Sequence, residues 1–199
     1  SEYFLKFSLT LSKITTVSFI EYPTIVSTAA IIDKLISRFN KENKPIRWHS
    51  PSGFLIEQNY YVNQSKRIKS KISNSTIYLN LAETDKTKVD KRKQHQGFPS
   101  NYIHSLDAAH CHLSLVAASK KGLDQFCIIH DCYGSPASEL ETLIQCVKQS
   151  FYDIYSDNNL DNLYHQAVQQ LSETKDLPKA LRMGEFDITD VLNAPYIFT

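Results

Sequence analysis

The residues best suited to chemistry in this 199-residue chain sit close together in its second half: His110, Cys111 and His112, then Cys127, His130, Asp131 and Cys132. A zinc site would need His110 or His112 to share a helical face with a ligand four residues on, and Ser114 and Val116 stand there instead. Thiol catalysis by Cys132 with His130 as base needs both side chains on one face, which residues two apart share in a strand and not in a helix. A hydrogen-bonded polar pair at a strand end is the ordinary fate of a His-Asp doublet. The last use is that of a hard-metal ligand: Asp131 at a strand tip could hold magnesium and clamp phosphate oxygens. One carboxylate does not hold two ions about 4 Å apart, so that use demands a second acid.

The elements that would position these residues follow from periodicity. Ile25, Ala29, Ile32, Leu35, Ile36 and Phe39 keep helical spacing, with Pro23 as a break, which predicts a helix from about Thr24 to Asn40. Trp48 lies in an extended stretch closed by Ser50-Pro51-Ser52-Gly53, the signal of a hairpin turn. Alternation from Ile68 to Leu81 around Ser73-Asn74-Ser75 predicts a second, longer hairpin with basic residues at its base. Leu106, Ala109, Leu113, Val116 and Ala117, followed by Lys120, Lys121 and Gly122, predict a helix over 105–121. The apolar run Phe126 to Ile129 predicts a strand buried on both faces that delivers His130 and Asp131 at its end. Ser135 before Pro136, or Ser138 with Glu141, would cap a helix carrying Leu140, Leu143, Ile144, Val147, Phe151 and Ile154.

Charge is unevenly spread. The whole chain carries 22 basic and 21 acidic residues, yet residues 64–95 hold nine basic side chains against three acidic ones, leaving the remainder net acidic. A polyanionic partner and a merely solvated loop both fit that pattern. The four cysteines form no CxxC pair and are expected as reduced thiols. Neither an apolar run of about 18 residues nor a secretory leader is present, so no membrane partner is expected. The chain opens on Ser1 and its single methionine is Met183, which fits a piece of a longer protein.

Two strings are more specific than any of this. Residues 93–110 read KQxxGFPxNYIHSLDxxH, and residues 130–134 read HDCYG about twenty residues later. Together they resemble the single-subunit, phage-type DNA-directed RNA polymerases, most of all the mitochondrial branch, over nearly the whole chain and more weakly in 1–20 and 156–185. The resemblance implies an α/β (α+β) fold, a palm and fingers segment with helices packed on a small antiparallel sheet. It implies that Asp131 is a catalytic carboxylate holding Mg2+, with His130, Tyr133 and Gly134 positioning it. His104, Asp107 and His110 would face nucleic acid.

The hairpin within 58–98 falls where the family carries its promoter-specificity loop, so Lys66, Arg67, Lys69 and Lys71 would contact DNA phosphates. The aromatic end Tyr196 to Thr199 resembles the family's C-terminal tail. The implied partners are a DNA template and promoter, an RNA product and ribonucleoside triphosphates, with a mitochondrial location. The family's other aspartate and its Lys and Tyr fingers helix match nothing here, so the upstream part of the polymerase becomes a further partner and the chain alone is expected to be inactive. The alternative is a remnant or split fragment that acts only as a basic nucleic-acid-binding module.

Overall fold

The structure is a computed structural model that describes residues 23–72, 75–129, 132–174, 177 and 187–195. The first helix of the described residues, α1 (Pro23–Glu42), opens on a proline, whose fixed φ suits a first helical turn. It ends at Asn43, which takes a left-handed φ of 55°, a conformation asparagine tolerates better than most side chains. A short hairpin follows, β1 (Arg47–His49) against β2 (Leu55–Glu57), with Trp48 opposite Ile56. Its turn needs a glycine, for Gly53 sits at φ 87°.

A long two-stranded ribbon comes next, β3 (Tyr61–Ile72) and β4 (Ser75–Val89), antiparallel and in register from Ile72–Ser75 to Val62–Asp85. The pairing then shifts at Tyr61–Val62, so Lys86, Thr87 and Lys88 bulge out at the base. The base is fixed by Asn43, whose side-chain amide donates to the Thr87 carbonyl (2.6 Å) and accepts from the Val89 N–H (3.0 Å). Lys66, Arg67, Lys69 and Lys71 lie in the middle and outer parts of β3, not at the base as the sequence suggested. The basic run therefore divides between the ribbon and the start of the next helix.

That helix, α2, runs from Lys91 to Lys120 and begins fourteen residues before the expected start. The reason is local: Asp90 ends the ribbon and accepts the Lys93 N–H at 3.0 Å as an N-cap. Gly97 and Pro99 then lie inside the helix rather than breaking it. Gly97 is required by the Tyr60 ring, which lies 2.8 Å from where a Cβ would be. Pro99 forfeits one helical bond, and Phe98 and Tyr102 beside it pack on Trp48, with ring centroids 5.4 and 6.1 Å away.

Beyond α2 come β5 (Cys127–Ile129) paired with β6 (Cys132–Gly134), then α3 (Leu140–Ser156), α4 (Asn159–Gln170) and α5 (Asp190–Asn193). The proposed serine caps of α3 do not form: the helix starts at Leu140, after a turn over 137–139, and Glu139 makes no side-chain cap bond. The expected double burial of β5 fails as well, since Cys127 and Ile129 are exposed, Ile129 to 64%. Among the described residues β5 pairs with β6 alone, and the face carrying Cys127 and Ile129 meets solvent. The mixed fold is α+β as expected, with the strands of the described residues in three separate two-stranded ladders.

Two cores share α2. The larger joins Leu35, Ile36 and Phe39 of α1, Ile46 and Trp48, Phe98, Tyr102 and Leu106 of α2, and Leu163 and Ala167 of α4. The smaller joins Ala118 at the end of α2 with Leu143, Cys146 and Val147 of α3, and Tyr133 packs against it. The free edge of β1 is covered by α4: Gln170 accepts the Arg47 N–H and donates to its carbonyl, and Gln166 accepts the His49 N–H at 2.7 Å. Where the chain leaves α4, Ser172 bonds Glu42 at the end of α1, and Lys44 pairs with the same carboxylate at 2.6 Å. The Lys44 contact, helped by Ser172, lowers the Glu42 pKa to about 2. No helix among the described residues is long and apolar enough to cross a membrane.

Gln94, fully buried, ties the larger core together. Its oxygen accepts the Ile46 N–H at 3.3 Å, and its amide donates to Asn40 Oδ1 (3.0 Å) and the Lys44 carbonyl (3.1 Å). Gln94→Ala strands these buried groups and should cost about 2–3 kcal/mol in urea unfolding, an exposed neighbour such as Gln96→Ala almost nothing.

Candidate active-site hairpin and its supporting helix

The HDCYG string falls on the β5–β6 hairpin. His130 and Asp131, to which the resemblance gave a positioning and a catalytic role, lie outside the described residues, as do Ser73, Asn74 and the tail Tyr196 to Thr199. The strands that flank His130 and Asp131 are described: Ile129 pairs with Cys132, Ile128 with Tyr133, and Cys127 with Gly134. Opposite residues share a face and successive ones alternate. Ile128 and Tyr133 therefore share one face, which Tyr133 turns toward α2, and Cys127, Ile129 and Cys132 share the exposed face.

α2 supports this hairpin with the second half of the other string. His110 is 3% exposed, and its ring meets Tyr133 with centroids 6.0 Å apart and Phe151 of α3 at 5.5 Å. Its Nε2 lies 2.9 Å from the Val147 carbonyl. A carbonyl only accepts, so this nitrogen carries the proton. His110 thus fastens α2 to α3 next to Tyr133, and its burial does not give it the nucleic-acid-facing surface that the sequence suggested.

Electrostatics converge on the same spot. Burial lowers the His110 pKa, against smaller upward pulls from the Val147 bond and Asp107. Burial raises the Tyr133 pKa, with Cys111 and Asp107 adding to it, and also raises that of Tyr155, again with Asp107. Asp107 itself is exposed, and so is His104 one turn earlier. His104, Asp107 and Cys111 follow i, i+3, i+7 spacing along one stripe of the helix.

Of the residues singled out from sequence, Asp107, His110 and Tyr133 come together, with Gly134 adjacent to Tyr133 on β6. Gly134 faces Cys127 across the ladder, and a Cβ there would make ordinary contacts at 3.5 Å and beyond. The Lys66 to Lys71 group stands apart. Its ribbon is rooted at the start of α2, about 25 Å along the helix axis from Asp107 at 1.5 Å per residue. Sequence reasoning placed Phe151 on the apolar face of this helix without giving it a part in the site and missed Tyr155, whose ring lies 4.5 Å from that of Phe151 on α3; their i, i+4 spacing was the available signal. Among the described residues, no group of three His, Cys, Asp or Glu side chains is arranged to hold a metal ion.

Comparison with known proteins agrees with the two strings. The family model for DNA-dependent RNA polymerase matches residues 12–181. A DNA-directed RNA polymerase 1A from Nicotiana tabacum is 32% identical over 157 residues, which are 79% of this chain and 97% of that one. DNA-directed RNA polymerase 1, mitochondrial, from Nicotiana sylvestris is also 32% identical over 157 residues, but the match spans only 15% of its length. The same species' DNA-directed RNA polymerase 3, chloroplastic, is 30% identical over the same share.

The His110 environment carries a pH consequence. Its folded pKa is lowered from an ordinary value of about 6.5, so below that pH the unfolded chain binds a proton that the folded chain resists. Stability should therefore fall on acidification from about pH 7 toward the depressed folded pKa. Thermal unfolding between pH 7.5 and 5 should show this decline, and His110→Gln should flatten it while lowering stability throughout.

Proposed function

The chain belongs to the DNA-dependent RNA polymerase family, and on that premise we propose that it supplies the C-terminal catalytic segment of a polymerase that synthesises RNA on a DNA template. The observation that carries this is the meeting of the two strings in space. His110 of the first meets Tyr133 of the second, Asp107 bears electrostatically on both, and Tyr133 lies on the strand that follows Asp131 in sequence.

A carboxylate is the ligand class that hard Mg2+ takes, so Asp131 is the residue of this hairpin that would hold it. Bound there, the ion would supply charge stabilisation at the transferring phosphoryl group. The chain's own work is positional. β5 and β6 form a short rigid hairpin, Tyr133 anchors its inner face, and His110 locks the supporting helix to α3. Tyr133 and Gly134 are positioning residues in this account, and His130 joins them as the neighbour of Asp131. His104 and Asp107, exposed on the same helix, form the nucleic-acid-facing stripe.

Two-metal transfer needs a second carboxylate and groups that grip the triphosphate, and no string in this chain matches the family's versions of them. Activity therefore requires the polymerase segment that carries them, and the exposed face with Cys127, Ile129 and Cys132 is where that segment or the template-product duplex would pack. Two of the matched relatives are named as a mitochondrial and a chloroplastic enzyme. We place this chain in an organelle on that basis, the mitochondrion being the narrower assignment from the resemblance.

Template-directed ribonucleotide incorporation should appear when the chain is co-expressed with the segment bearing the other aspartate. Asp131→Asn should lower it by several orders of magnitude. Incorporation that survives Asp131→Asn would reduce the chain to a nucleic-acid-binding module, and incorporation by the chain alone would overturn the need for a second segment.

A further inference from the structure

Of the four cysteines, Cys146 is buried and Cys111 half-buried, while Cys127 and Cys132 are exposed. The ladder puts those two on one side of the β5–β6 hairpin: Cys127 stands opposite Gly134 and Cys132 opposite Ile129, and residues two apart along a strand share a face. Tyr133 packs on the smaller core from the other side, so both thiols are turned away from that core.

Spacing decides what the pair can do. Cys132 comes two residues before the cross-strand partner of Cys127, the same diagonal relation that Tyr78 bears to Arg67 in the ribbon. There the side chains meet, with the guanidinium carbon 4.2 Å from the ring centroid. Diagonal neighbours have Cα atoms about 7–8 Å apart and Cβ atoms somewhat closer. A direct disulfide wants Cα atoms within about 6.8 Å, which this relation exceeds. An atom held between the sulfurs suits it better: at a metal–sulfur distance of about 2.3 Å, two thiolates on one cation stand up to about 4.6 Å apart. Gly134 leaves room for the approach. A Cβ there would lie 3.7 Å from the Cys127 Cβ, and with none present the Cys127 side chain has space to lean toward Cys132.

We propose that Cys127 and Cys132 form a two-thiolate clamp for a soft, thiophilic cation of the Zn2+ class, whose remaining positions water fills. Binding replaces two S–H bonds with two metal–sulfur bonds and releases both protons, with no change of oxidation state. The clamp differs in kind from a magnesium carboxylate, since hard Mg2+ prefers oxygen ligands to thiolates. With two such ligands and no third among the described residues, it is a site of exchangeable occupancy and not a structural zinc centre, which takes four. Its consequence rests on the reading of this hairpin as the catalytic one. A clamped cation ties together the strands on either side of Asp131 and covers the face where the rest of the polymerase or the duplex packs, so occupancy shuts transfer down.

The test is a cadmium titration of the full, reduced 199-residue chain, with Cd2+ as the spectroscopic stand-in for zinc. The ultraviolet thiolate-to-metal charge-transfer band should saturate at one equivalent. Alkylation followed by peptide mass spectrometry should then show Cys127 and Cys132 protected together and Cys111 unprotected. Cys127→Ser and Cys132→Ser should each weaken binding by at least about tenfold, the least that loss of even an outer-shell group costs a metal site. Cys111→Ser should leave the affinity unchanged, and excess Mg2+ should not displace the ion. Circular dichroism confirms that each variant keeps its fold, and the protection map needs no variant at all. A band that survives both single substitutions, protection of a pair that includes Cys111 or Cys146, or displacement by Mg2+ would each overturn the inference. In the polymerase reconstituted with its other segment, Zn2+ should inhibit incorporation and a chelator should restore it. Cadmium binding by both thiols in a chain that supports no incorporation would uphold the clamp and mark the failure of the catalytic reading alone.

Discussion

The fold hangs on a single helix that must satisfy two cores at once. α2 gives its first half to the core around Trp48 and its last turns to the core around Leu143 and Val147. Its buried stripe is only partly apolar: Gln94, Ser105, His110 and Ser114 lie on it among Phe98, Tyr102, Leu106 and Ala109. Buried polar groups on such a stripe favour partners, and those that Gln94, Ser105 and His110 take decide which elements meet. Gln94 selects the end of α1 and the start of β1. Ser105 accepts the Trp48 indole N–H at 2.9 Å and donates to the Tyr102 carbonyl. His110 selects Val147 of α3. Polar satisfaction thus sets the relative placement of pieces that apolar contacts alone would hold less specifically.

From this arrangement the candidate site inherits its rigidity. Among the described residues the β5–β6 hairpin has three residue pairs and no third strand, and a ladder of that size is marginal by itself. It is steadied by Tyr133, which packs on the smaller core, and by His110, which that core holds. Its opposite face stays exposed, with Ile129, Cys127 and Cys132 presented outward. The same helix also roots the ribbon at its other end, through the Asp90 N–H bonded to the Tyr60 carbonyl at 2.8 Å. One stiff element therefore supports both the β5–β6 strands and the arm that bears the charge.

Much of this was legible in the residues, and what was not has a physical cause. α1 and the Trp48 hairpin followed from spacing and turn chemistry, because their buried positions are apolar and the short hairpin's turn carries Gly53, whereas the ribbon followed from its alternation although its aliphatic side chains are exposed. The first half of α2 was hidden because Gly97 and Pro99 read as breakers, and only the Tyr60 ring explains the glycine. α4 was missed since its inward residues are few, Leu163 and Ala167, and its glutamines serve the β1 backbone rather than the core. The apolar run into β5 promised a covered strand, yet hydrophobicity records what a surface is suited to meet and not whether this chain provides it. Asp107, His110 and Tyr133 were all named from the strings, but that His110 would be buried against α3 required the fold.

The central claim is that this chain carries one of two metal-binding carboxylates of a polymerase and depends on another segment for the second. The most direct measurement is to read the coding region on the N-terminal side of Ser1. The account predicts an in-frame aspartate motif and a helix with the Lys and Tyr that grip a triphosphate. A stop codon immediately before Ser1, with no such segment encoded elsewhere, would contradict it.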